Sequence, residues 1–309
     1  MSRIAFVFPG QGAQYVGMGK DFYDSFQVCK DIFAAAKEAT GLDVSAICFE
    51  ENENIHITEY TQIAMLTVEV ALAKVLEEKG IHPEVTAGLS LGEYGALVTA
   101  GVLSEQDAFR VVRQRGILMQ EAVPSGGAMA AVLGMDGAAI AKVCEETEGI
   151  VSVANYNCPG QIVITGEEAA VDKACETLKE QGAKRCVKLN VSGPFHSAML
   201  KDAGAKLYEV LKHVSLREMK IPYLTNVTAD YVRDISSVKE LLKQQVYSSV
   251  KWQQSVEKMI ADGIDTFIEI GPGKTLSGFM RKIDKEKKVT MFNVEKLEDL
   301  EKLSDLCQG

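Results

Sequence analysis

The stretch VTAGLSLGEYGALVTAG, residues 85 to 101, sets Ser90 between Gly88 and Gly92, after a short β-branched run and before an Ala/Leu-rich segment that reads as a helix. That G-x-S-x-G spacing is the pattern of a nucleophile elbow: a sharp strand-to-helix turn exposes a serine hydroxyl, and small neighbours let backbones approach closely. The chemistry would be acyl transfer or ester hydrolysis through an acyl-serine. The backbone N–H of Leu91 would open the helix, where amide donors lack intrahelical partners and favour negative charge. A Gly-Ser turn without chemistry fits the same residues equally well.

A serine nucleophile needs a base, and the chain has four histidines. His56 follows the acidic run EENEN and His82 precedes Pro83, so both read as surface loop residues, while His213 lies near the end of a predicted helix. His196, in NVSGPFHSAML, follows Gly-Pro just before a predicted helix, where a domain cleft would lie. Arg115 is the most informative single residue. On a helix over 105–121 it falls on the apolar stripe of Ala108, Val111, Val112, Leu118 and Met119, whereas Arg110 and Arg113 do not. A buried guanidinium deprived of its partner costs about 3–5 kcal/mol, so an anion is expected beside it. Spacing alone leaves an internal carboxylate, somewhat ahead, and a carboxylate on a substrate.

The elements that must position these residues follow from periodicity and turn signals. RIAFVFPGQGAQ reads as a buried strand over 3–8 running into a glycine-containing loop, with helices at about 20–39 and 60–79 and a strand at 85–90. Ser104 with Asp107 three residues on resembles a capping box that starts the 105–121 helix. Residues 127–189 then run strand, helix, strand, strand, helix, strand, the βαββαβ order of the ferredoxin-like split motif. Pro124–Gly127 and Ser192–Pro194 bracket it as chain crossings. The expected fold is α/β: an α/β-hydrolase-like large domain with a parallel sheet and an inserted ferredoxin-like small domain. The large domain takes residues 1–125 and 191–309, with later strands near 221–226, 266–270 and 289–293, and the insert takes 126–190.

A chain of 309 residues with 47% hydrophobic content can bury a large core. Its formal charge of −10 argues against nucleic acid as a partner, because an acidic surface repels phosphate. No run approaches the roughly 20 apolar residues of a membrane span, and the N-terminal apolar run is too short for a secretory signal. The seven scattered cysteines include no C-x-x-C pair and read as reduced thiols, so a cytoplasmic setting is expected. Asn190-Val-Ser192 and Asn226-Val-Thr228 fit the glycosylation pattern and are discounted on that ground. GPGKTLSG ends like a phosphate-binding loop, but the glycine that pattern requires is Ile268, so it reads as a strand-turn-helix connection. KIDKEKKV, 282–289, reads as a solvated face.

Taken together, FVFPGQGAQ, GLSLGEYGALVTAGVLS, RGILMQEAVPSGGAMAAVLG, NYNCPGQIVITG, VSGPFHSAML and IEIGPGKTLSG resemble the malonyl-CoA:acyl carrier protein transacylases of fatty acid synthesis, in order and over essentially the whole chain. The resemblance implies roles by position. Ser90 would be the nucleophile and His196 its base; the amides of Gln11 and Leu91 would form the oxyanion hole. Arg115 would hold the malonyl carboxylate, which turns the choice of anion toward the substrate. Phe195, Met119 and Asn157 would line the acyl pocket, and the backbone carbonyl of Lys251 would orient the catalytic histidine.

Malonyl-CoA would be substrate and CoA product in a ping-pong transfer to the phosphopantetheine thiol of acyl carrier protein, with no permanently bound cofactor or metal. A monomer is expected, docking its carrier through a local basic patch such as Lys184, Arg185 or the 281–288 run. Two departures stand out: Leu89 precedes the serine where the family usually has histidine, and Lys251 stands where it often has glutamine. The alternative is a serine esterase or thioesterase of α/β-hydrolase type, which would need no Arg115; a catalytically silent carrier scaffold would not need Ser90.

Overall fold

The chain was analysed as a computed structural model that describes residues 2–308; Met1 and Gly309, the outer ends of the expected large domain, lie outside them. β1 (Ile4–Phe8) is buried at all five positions, as a strand covered on both sheet faces must be. Helices α1 (Lys20–Ser25), α2 (Gln27–Thr40), α3 (Val44–Phe49) and α4 (Thr58–Glu78) follow. The helix expected over 20–39 is thus two, parted at Phe26, whose backbone is extended. α4 is apolar around most of its circumference, which puts it inside the protein. The elbow lies between β2 (Val85–Gly88) and α5 (Gly92–Thr99), so the strand ends two residues earlier than expected. α6 (Glu105–Glu121) starts where the capping signal put it, with the Ser104 hydroxyl accepting from the Asp107 amide at 3.0 Å.

Next come β3 (Gly127–Leu133), α7 (Gly137–Glu146), β4 (Val151–Cys158), β5 (Gln161–Glu167), α8 (Glu168–Glu180) and β6 (Arg185–Lys188). They form a separate antiparallel sheet, ordered β4-β5-β3-β6, with its own apolar core against α7 and α8. The chain continues through α9 (Lys201–Lys212), β7 (Tyr223–Leu224), α10 (Val238–Gln245), α11 (Trp252–Ala261), β8 (Thr266–Ile270), α12 (Thr275–Ile283) and β9 (Thr290–Val294). These strands complete a parallel sheet ordered β7-β2-β1-β8-β9, in which the expected strand at 221–226 shortens to two residues.

Contacts from both chain crossings and from the segment before α11 seat the small sheet on the large domain. The crossings touch at Gly127, where an added Cβ would lie 2.4 Å from the Pro194 ring, and Tyr156 and Val250 share a backbone hydrogen bond of 2.9 Å. GPGKTLSG is the β8–α12 connection. The carboxylate of Glu269 takes the Leu276 and Ser277 amides there, each at 2.8 Å, so the protein's own anion fills the helix N-terminus.

Candidate active site

Ser90 sits at the C-terminal edge of the parallel sheet with φ at +52°, a left-handed conformation that a non-glycine residue holds only when its surroundings impose it. The two flanking glycines explain how the turn closes. A Cβ on Gly88 would lie 1.9 Å from the Gly92 carbonyl oxygen, and one on Gly92 would lie 2.2 Å from that of Phe8. Side chains fasten the strained residue from both sides: the Ser90 N–H donates to Asn226 Oδ1 at 2.7 Å, and its carbonyl accepts from Gln245 Nε2 at 2.9 Å.

His196, also at positive φ, is buried at the exit from the small sheet, and its Nε2 lies 2.8 Å from Ser90 Oγ. Its Nδ1 is 2.8 Å from the Gln245 carbonyl. A carbonyl only accepts, so Nδ1 carries the proton and Nε2 is left to receive that of the serine. Burial first, and then the Arg115 cation, push the imidazole down to about 4, against the pull of the backbone acceptors. His196 is therefore neutral at neutral pH. This corrects the expectation for Lys251, whose carbonyl does not meet the imidazole: it accepts from the amide and hydroxyl of Ser255 in the first turn of α11, and the orienting carbonyl is that of Gln245.

Arg115 is 1% exposed and reaches the serine from α6. Its Nη2 donates to Ser90 Oγ at 3.1 Å and to Gln245 Oε1 at 3.0 Å, and its Nη1 donates to Gln62 Oε1 at 2.6 Å. Its Nε has no hydrogen-bond partner among the described residues, and the Glu93 carboxyl reaches it only through the Gln245 amide. Its hydrogen bonds all go to neutral oxygens, and the Tyr94 ring lies 5.6 Å from the guanidinium.

A cleft of about 590 Å³ opens over the serine, with Gln11, Leu91, Met119, Asn157 and Phe195 in its lining. Leu91 is the N-cap of α5, and the Gly92, Glu93 and Tyr94 amides behind it turn back to the Leu89, Ser90 and Leu91 carbonyls. Gln11 is placed opposite by its side chain, which donates to Thr58 Oγ1 at 3.0 Å. Asn157 is 7% exposed, its Oδ1 without a partner among the described residues, and Met119 accepts a weak hydrogen bond from Gln62. Leu89 lines the cleft beside Phe279 and belongs to an apolar cluster that also holds Ala87 and Cys158. His56 stands exposed at the mouth, and Lys251 lies in a different groove.

Gln62, Gln245 and Glu93 carry no spacing signal in the sequence, and Asn226 shows only as a glycosylation pattern. Yet Asn226 and Gln245 clamp the serine backbone, and Glu93 joins them from beneath.

The acyl transferase domain model matches residues 5–295. The malonyl CoA-acyl carrier protein transacylase of Bacillus subtilis is 48% identical over 293 residues, covering 93% of this chain and 92% of the relative. The crystal structure of the transacylase of that name from Clostridium perfringens superposes with a TM-score of 0.95 at 45% identity, covering 99% of this chain and 97% of the other. A malonyl-transacylase in complex with a type II polyketide acyl-carrier protein gives 0.94 at 39% identity, covering 99% and 100%. The chain belongs to the acyl transferase domain family and, within it, to the malonyl-CoA:acyl carrier protein transacylases.

Proposed function

We propose that this enzyme moves the malonyl group from malonyl-CoA to the phosphopantetheine thiol of acyl carrier protein through a malonyl-Ser90 intermediate. The observation that carries the reading is Arg115: a buried guanidinium 3.1 Å from the serine hydroxyl, held by neutral oxygens. A carboxylate on the acyl group supplies the anion that the protein withholds, in a bidentate pair that also aligns the thioester with the nucleophile.

His196 Nε2 takes the Ser90 proton as Oγ bonds to the thioester carbon, and the amides of Leu91 and Gln11 receive the oxyanion. The C–S bond then breaks, and the imidazolium returns its proton to the departing CoA thiolate. In the second half His196 takes the proton of the carrier thiol, sulfur attacks the ester, and Ser90 leaves with the proton restored. The protein's own groups serve as nucleophile, base and anion stabiliser, so this route draws on no resident cofactor.

The finer reading of the fold belongs with this proposal. The large sheet and its helices are α/β-hydrolase-like over 1–125 and 191–309, and the insert, 126–190, is ferredoxin-like, a reading supported by its βαββαβ order. Serine, base and anchor come from one chain, which supports a monomer; the scattered thiols support a cytoplasmic setting. Met119, Asn157 and Phe195 line the acyl pocket. Leu89 makes its floor less polar than the histidine usual in the family. Carrier docking is assigned to Lys184, Arg185 and the 281–288 run; charge reversals there that leave transfer to the carrier unchanged would remove that assignment.

Intact mass after mixing with malonyl-CoA tests the reaction. The expected result is a persistent malonyl adduct that maps to Ser90 and moves to the carrier's thiol. Rapid turnover to free malonate would favour the thioesterase alternative.

A further inference from the structure

The buried carboxyl of Glu93 lies outside the chemistry just described, yet it touches both residues that hold Ser90. Its Oε2 accepts from Gln245 Nε2 at 2.7 Å and from the Asn226 backbone N–H at 3.0 Å. Asn226 in turn receives the Ser90 N–H on Oδ1 and donates from Nδ2 to the Gly88 carbonyl at 2.6 Å. Gln245 spreads further: its Nε2 serves the Ser90 carbonyl, its Oε1 the Arg115 guanidinium, and its backbone carbonyl His196.

A glutamine amide has an accepting end and a donating end, and which faces Arg115 matters, because a guanidinium only donates. Three acceptors gather at the Gln245 nitrogen: the Ser90 carbonyl, Glu93 Oε2, and Asn226 Oδ1 at 3.3 Å. With the nitrogen so held, the oxygen turns to Arg115. Without Glu93 the shortest of these bonds is lost, and so is the acceptor that fixes the Asn226 backbone.

We propose that Glu93 is a positioning residue for acyl-group selection: by fixing the amide of Gln245 it holds Arg115 in the plane that receives a carboxylate, while steadying the elbow through Asn226. This rests on the reading that Arg115 receives the acyl carboxylate. Glu93 touches neither substrate nor reacting atoms. A substrate-free function follows as well, since its two partners carry the strain of the left-handed serine.

The test is a double-mutant cycle read as the ratio of malonyl to acetyl loading on Ser90, from single-turnover intact mass of the full chain. Glu93→Ala is expected to lower that ratio about tenfold, the scale of one well-placed buried hydrogen bond. Glu93→Gln, which keeps an accepting oxygen, should recover most of the ratio. In a Gln245→Leu background, where the backbone carbonyl to His196 persists, Glu93→Ala should change the ratio no further. A protein that is merely destabilised loads both acyl groups less in proportion, so an unchanged ratio in Glu93→Ala overturns the proposal, as does an effect that persists in full without the Gln245 side chain. If Glu93→Ala does not fold, Glu93→Met, which fills the same space without an accepting oxygen, takes its place in the cycle: a lowered ratio restored by Gln supports the proposal and an unchanged one overturns it. Wild-type protein that takes up no malonyl group would instead sink the functional reading, and this inference with it.

Discussion

Two buried charges in this molecule are treated in opposite ways. Glu269, beneath α12, accepts from two helix amides and from the Ser277 hydroxyl at 2.6 Å, so its carboxylate is answered by donors from the same chain. Arg115 donates to three neutral oxygens, leaves Nε without a hydrogen-bond partner among the described residues, and meets the Glu93 carboxyl only through the Gln245 amide. Both are desolvated, which pushes Glu269 up and Arg115 down from their ordinary values. The chain completes the shell of the charge that supports structure. It leaves short the one that faces the cleft, and the proposed function assigns that place to the carboxylate of the acyl group.

Substitutions at these sites break the comparison in graded steps. Ser90→Ala should abolish the malonyl adduct altogether; labelling elsewhere would move the nucleophile. Arg115→Ala should lower malonyl transfer to the carrier by about 10²–10³-fold, equivalent to roughly 3–4 kcal/mol, while sparing or improving acetyl transfer. Equal losses for the two acyl groups in steady-state assays would make the arginine structural.

Glu269→Gln should act on stability instead. It takes a charged acceptor from buried donors, at about 1–3 kcal/mol of unfolding free energy in denaturant titration, with the malonyl-to-acetyl ratio unchanged. A changed ratio would dissolve the distinction.

The smallest expected effect is on titration. His196 should protonate near pH 4 by NMR and shift upward in Arg115→Ala, because the neighbouring cation helps hold it down. The sign for stability follows. Between its ordinary value of 6.5 and about 4 the unfolded chain binds the proton and the folded one does not, so folding weakens as pH falls through that window. An unshifted imidazole in the variant would leave burial as the sole cause.

Much of this was legible in residue order, and the rest for physical reasons was not. The elbow showed itself because only glycine tolerates carbonyl oxygens at the distances found around Gly88 and Gly92. Arg115 stood out because a charge on an apolar stripe contradicts its helix. The split at Phe26 was hidden, since both helices on either side present apolar faces to the same core.

Lys251 was misplaced because a backbone carbonyl can come from any residue type. Only the path of the chain after α10 reveals that Gln245 faces the imidazole. Gln62, Asn226 and Gln245 are neutral amides far apart in sequence, with nothing in their spacing to announce a common site. Glu93 follows the elbow directly, yet a glutamate in the first turn of a helix is ordinary for helix-dipole reasons; its burial is what sets it apart.

The central claim is that the unmet charge of Arg115 selects a carboxylated acyl group for Ser90. The most direct measurement is a competition: equimolar malonyl-CoA and acetyl-CoA are mixed with the protein, quenched within the first turnover, and the acyl group on Ser90 is read by intact mass. Wild-type protein is expected to carry malonyl almost alone, and Arg115→Ala to lose this preference. Wild-type protein loaded with both groups alike, or a variant that still prefers malonyl, would contradict it.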